Sequence, residues 1–174
     1  MDLLLAKPLN ERLYGWIALG LSEGNFTDDI SGMHADNQYA PSISATAAAT
    51  YSFDNGLKLG LKYRMQSGDL FTPLESISLD LDTGIQNSVY GEPFSGKLND
   101  YKRLDVRLEK AASYDFADVT YYIDILNVFE QDNRSNRSYP TRNIRIGNDG
   151  DLNVIPDEDE GIPLFIAFGA NFAF

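Results

Sequence analysis

Polar and apolar positions alternate with a period of two along most of this chain. In "YKRLDVRLEK", residues 101–110, Leu104, Val106 and Leu108 fall on one side, and Arg103, Asp105, Arg107 and Glu109 on the other. In "LKLGLKYRM", residues 57–65, Leu57, Leu59, Leu61, Tyr63 and Met65 oppose Lys58, Gly60, Lys62 and Arg64. "SISATAAATYSF", residues 42–53, sets Ile43, the alanines at 45, 47 and 49, Tyr51 and Phe53 against a row of serines and threonines. Such alternation is the signature of a strand with two unlike faces. It predicts seven strands, at 2–8, 13–22, 42–53, 57–66, 101–113, 118–129 and 162–174. The 3.6-residue period of an amphipathic helix is absent.

The connections alternate in length. Residues 8–12, 54–56 and 114–118 are short, and the Asn-Gly of 55–56 is a tight-hairpin signal. Residues 23–41, 67–100 and 130–161 are long and are expected to be loops without regular structure, a kind that usually carries function. An additional hairpin is expected around "NIRIGNDGDLNVI", residues 143–155, turning at Asn148-Asp149-Gly150. With every second connection long, the three loops belong at one end of an up-and-down antiparallel meander. Charge follows the same division. Residues 22–41, 67–99 and 130–161 each carry a net −4, which accounts for the whole formal charge of −12 and leaves the rest of the chain neutral.

The apolar rows need a cover, and the sequence offers neither a helix nor a second set of strands to provide one. Tilted strands of about 9–11 residues are what span a bilayer. A curved segment of a large transmembrane β-barrel therefore suits the pattern, with lipid on the apolar face and a lumen lined by Lys58, Lys62, Arg64, Arg103, Asp105, Arg107, Glu109 and Asp124. Aromatics are expected to form two girdles. Tyr14, Trp16, Tyr51, Phe53, Tyr114, Phe116, Phe172 and Phe174 fall at the short-turn end, and Tyr63, Tyr101, Phe129 and Phe165 at the other.

Composition narrows the chemistry. An acidic chain is a poor partner for nucleic acid. The absence of cysteine removes disulfides, zinc–thiolate sites and thiol nucleophiles, and the single histidine, His34, reads as a solvated residue. No constellation for catalysis stands out, so no enzyme is expected. No apolar run is long enough for a membrane helix, and no secretory leader is visible at Met1. In "DGDLNVIPDEDE", Asp149, Asp151, Asn153, Asp157 and Glu160 have the ligand spacing of an EF-hand loop. Val154 stands where that loop needs glycine, Pro156 stiffens it, and no helices flank it, so a solvated acidic loop is the favoured reading. The Asn-x-Ser/Thr triplets at Asn25, Asn133 and Asn136 carry no assigned role.

The C-terminal "AFGANFAF" resembles the signal by which bacterial outer-membrane proteins are recognised by the barrel assembly machinery; Gly169, Phe172 and Phe174 match its pattern, and Ala167 departs from it. In order, "LLLAKPLNERLYGWIALGLS", "YKRLDVRLEK", "YYIDILNVFEQDN" and "IPLFIAFGANFAF" resemble the last strands of TonB-dependent outer-membrane receptors. That resemblance implies an integral outer-membrane location. It implies uptake of a scarce ligand, driven through TonB by way of a plug domain. Residues 1–174 would be the C-terminal part of the barrel, without plug or TonB box, partnered by the remaining strands, the plug and outer-membrane lipid. Two alternatives stand beside it. One is a passive outer-membrane pore or small barrel, disfavoured by the odd strand number. The other is a calcium-binding β-module resting on residues 149–160.

Overall fold

The structure, a computed structural model, describes residues 1–8, 10–30, 32, 34–37, 43–80, 82–83, 86–146 and 152–174. Seven strands form one antiparallel sheet: β1 (Asp2–Pro8), β2 (Leu13–Leu21), β3 (Ile43–Ser52), β4 (Leu57–Gln66), β5 (Tyr101–Tyr114), β6 (Ala117–Leu126) and β7 (Phe165–Ala173). Each pairs only with its sequence neighbours, and β1 and β7 do not meet, so the sheet is a meander that does not close into a barrel. The all-β meander expected from the alternation is borne out.

Local chemistry sets the turns. Between β3 and β4, Gly56 takes φ 76° and the Asn55 side chain accepts the Leu57 amide at 3.1 Å. Between β1 and β2, the Asn10 carboxamide oxygen accepts the amides of Arg12 and Leu13. An Arg12–Asp54 ion pair at 2.6 Å joins these neighbouring turns.

Three expectations need correction. β6 stops at Leu126, short of residue 129, because Asn127 enters the left-handed region at φ 53°. β7 begins at Phe165 rather than 162; Pro163, which has no N–H for a ladder, precedes it. The long connections also contain regular structure. Antiparallel pairs join Asn25–Thr27 to His34–Asp36, Leu70–Phe71 to Gly96–Lys97, Leu74–Leu79 to Gln86–Tyr90, and Ser135–Ser138 to Asp157–Asp159. Ile144–Ile146 pairs with Leu152–Val154, inside the stretch read as an added hairpin. The turn assigned to it, Asn148 to Gly150, lies outside the described residues, as does Ser42 at the expected start of β3.

A sheet normally buries one face against a second layer. Among the described residues the buried apolar side chains are Phe71, Leu98, Ala117 and Val119. Two of these lie in the second long loop and two beside the last short turn. Among the described residues no core lies over either face of the sheet.

Candidate functional site

The unbroken register of the seven strands defines two faces. Across the middle of one run Leu5, Ile17, Ala47, Tyr63 and Leu104; the next row of that face holds Gly15, Ala49, Leu61, Val106, Ile125 and Ile166, and the one after it Leu13, Tyr51, Leu59, Leu108, Ile123 and Phe168. Large side chains here are open in every strand, among them Leu5, Ile17, Leu61, Ile123 and Ile166, with Phe168 at 82% exposure. The charges on this face are Lys7, Lys102 and Lys110, all near strand ends. Lys110 reaches the turn, donating from Nζ to the Asn55 carbonyl. Lysine at the rim of an apolar band keeps its stem in the band and its charge outside. A shallow hollow of about 490 Å³ lies where Gly15, Ala47 and Ala49 leave a low floor between Leu5, Ile17, Leu61 and Leu104.

The opposite face is polar. It brings together Lys58, Lys62 and Arg64 of β4, Arg103, Asp105, Arg107 and Glu109 of β5, and Asp124 of β6. The β5 charges pair along their own strand, Arg103 with Asp105 and Arg107 with Glu109, each at 2.6 Å. Arg107 also crosses to Asp124 at 2.9 Å. Lys58, Lys62 and Arg64 are exposed, and among the described residues none has a carboxylate within ion-pair distance.

Gly169 owes its place on β7 to this face. A Cβ there would lie 2.6 Å from the Tyr122 hydroxyl and 2.8 Å from its ring, because Tyr122 of β6 lies across the glycine. The Arg107 guanidinium covers the same ring at 4.4 Å. The resemblance gives Gly169 a place in a sorting signal, an expectation; what the structure shows is a packing reason, the cover that an aromatic on a neighbouring strand gives a glycine. Phe172 and Phe174 stack at 6.5 Å with 13° between rings on the apolar side, and Phe174 is 99% exposed.

Aromatics divide between the faces. Tyr51, Tyr63 and Tyr114 share the apolar face, whereas the register puts Tyr14, Trp16, Tyr101 and Phe165 on the polar one. Those four are not girdle positions on the apolar side; sequence position along a strand fixes level, but parity fixes the face.

The long-loop end is held by side chains the alternation did not single out. Asn127 is fully buried. Its Nδ2 donates to the carbonyls of Gln131 at 3.0 Å and Ile162 at 2.9 Å, and its Oδ1 accepts the Gln131 amide at 3.1 Å. Asn133 imitates a strand neighbour: its Oδ1 accepts the Lys102 amide at 2.8 Å and its Nδ2 donates to the Lys102 carbonyl at 2.9 Å. Phe71, from the second long loop, sits against Gly96 and under the Arg137 guanidinium of the third, 4.3 Å from the ring centroid. Arg137 in turn pairs with Glu158, whose side chain is 8% exposed. At the base of the second loop the Gly68 amide donates to Asp100 at 3.2 Å. This bond, with Lys97 nearby, holds the Asp100 carboxyl below its ordinary value.

Of the candidate calcium ligands, Asp149 and Asp151 lie outside the described residues. Asn153 pairs with Arg145 in a ladder, Asp157 is engaged by Arg142, and Glu160 lines a cleft with Arg134. Among the described residues no three His, Asp or Glu side chains converge as a metal set would. No family model, no curated protein and no solved structure matches the chain.

Proposed function

We propose that this chain is wall from the C-terminal part of an outer-membrane β-barrel of the TonB-dependent receptor class. In this reading it supplies lipid-facing strands and three extracellular loops to a receptor that takes up a scarce ligand. The observation that carries the reading is the open apolar face. In water, each large side chain left exposed forgoes roughly 1.5–3 kcal/mol of burial, and over seven strands the total is on the order of tens of kcal/mol. A bilayer recovers that energy without a second protein layer.

Strand length is consistent with this. β3, β4 and β6 have ten residues each. At about 3.4 Å per residue and a tilt near 45° they span about 24 Å, close to the ~25 Å apolar band of such barrels. The free edges of β1 and β7 are where the remaining barrel strands would pair, and the plug would sit over the polar face. Phe174 at the end of an edge strand suits capture by the assembly machinery through strand addition. The acidic long loops would face outward, opposite the short turns.

The test is fractionation of the full-length gene product, epitope-tagged at its own locus. The expected result is recovery in the outer-membrane fraction, with a mobility on gels that changes on heating. Recovery in a soluble fraction or in the cytoplasmic membrane would overturn the proposal.

A further inference from the structure

The charge pattern of the polar face contains an imbalance that its own strands do not resolve. β4 presents Lys58, Lys62 and Arg64, and both of its neighbours are in place. On one side the β3 residues registered with it are Ser44, Thr46, Ala48, Thr50 and Ser52, none of them charged. On the other side Asp105 and Glu109 of β5 are already held at 2.6 Å by Arg103 and Arg107. Further strands at the sheet edges would lie beyond β1 or β7 and would not adjoin β4. A fixed counter-charge for this row would have to come from above the face.

The β3–β4 strip is also rich in donors. Ser52 lies beside Lys58, Thr50 beside Gly60, and Thr46 beside Arg64, so hydroxyls alternate with cations along it. Gly60 leaves a gap between Lys58 and Lys62 that packing does not demand: a Cβ there would meet Arg107 and Thr50 only at ordinary contact distances, 3.6 and 3.9 Å. By strand geometry Lys62 and Arg64 are about 7 Å apart, and Lys58 and Lys62 about 13 Å.

We propose that this strip is a binding track for a small anionic solute carrying two or more carboxylate or phosphate groups. Lys62 and Arg64 take one acid group, Lys58 a second, and the β3 hydroxyls donate along the way. In a protein of net charge −12 the strip is a local reversal of field, and such a reversal concentrates anions. The inference stands on the register of the sheet and holds whether or not the other face meets lipid.

The molecule carries its own reporter. Its single tryptophan, Trp16, lies on the same face and in the same transverse row as Lys62, with Ala48 between. That is two strand spacings, about 10 Å. The experiment is quenching of Trp16 in the full chain, held in a neutral detergent at low salt, by iodide and by uncharged acrylamide. Iodide is expected to quench more strongly, relative to acrylamide, than the net charge allows. Pyrophosphate and citrate should each relieve that quenching, and neutral sorbitol should not. Lys62→Gln should lower the iodide constant about two-fold, and Lys62→Arg should keep it. Unchanged acrylamide quenching certifies the fold. Should Lys62→Gln disturb it, Thr50→Glu sets a carboxylate in the Gly60 gap and should give the same loss. Iodide quenching that ignores these substitutions and both competitors would overturn the proposal. Relief by polyglutamate alone would overturn it too, in favour of an acidic polypeptide. Neither result would bear on membrane location, which the fractionation decides.

Discussion

At Asn127 the chain leaves β6 in the left-handed region, at φ 53°, with the side chain tied to Gln131 and Ile162. Asparagine tolerates that backbone and supplies the bonds, so its two contributions can be separated. Asn127→Gly keeps the backbone and loses the bonds; Asn127→Ala loses both. Each is expected to destabilise the protein, Ala by about 1–2 kcal/mol more than Gly. The measurement is urea unfolding in lipid vesicles, and equal losses would show that φ contributes nothing. Phe174 is the opposite kind of residue. It packs only along the strand edge, stacked on Phe172, so Phe174→Ala should cost about 1 kcal/mol or less. Its effect on biogenesis should be far larger: less protein in the outer membrane on quantitative immunoblots, with Ala173→Ser unaffected. Normal membrane levels of Phe174→Ala would remove the sorting role.

Among the elements, the long-loop hairpins are where sequence and structure part. The alternation in β3, β4 and β5 runs for ten or more residues, which makes strand and face legible at once. Pairs such as Leu70–Phe71 with Gly96–Lys97 are too short to show any period. What holds them is side-chain chemistry between segments distant in sequence, as where Arg137 covers Phe71. The charged row on β4 was also legible, but its unpaired state was not. Alternation places Asp105 opposite Lys62, yet Asp105 pairs along β5 with Arg103. A titration tests the base of the second loop. The Asp100 carboxyl lies below its ordinary 3.8 because it accepts the Gly68 amide, so its stabilising effect is complete above 3.8 and fades as pH falls through the lower, folded value. The Gly68 amide resonance should titrate with a midpoint below 3.8, and Asp100→Asn should abolish the change. A midpoint at or above 3.8 would contradict the bond.

For the whole molecule, one sheet with unlike faces and, among the described residues, no covering layer has to be explained by its surroundings. The central claim is that the face of Leu61, Ile123 and Phe168 meets lipid while the face of Thr46, Ala48 and Asn171 meets water. Because the chain has no native cysteine, single cysteines can be spin-labelled without background. The most direct measurement is power saturation of labels at these six positions in reconstituted bilayers, with oxygen as the lipid-soluble relaxant and a nickel chelate as the aqueous one. Leu61→Cys, Ile123→Cys and Phe168→Cys are expected to favour oxygen, and Thr46→Cys, Ala48→Cys and Asn171→Cys to favour nickel, alternating along each strand. Equal access to nickel on both faces, or the reverse assignment, would contradict it.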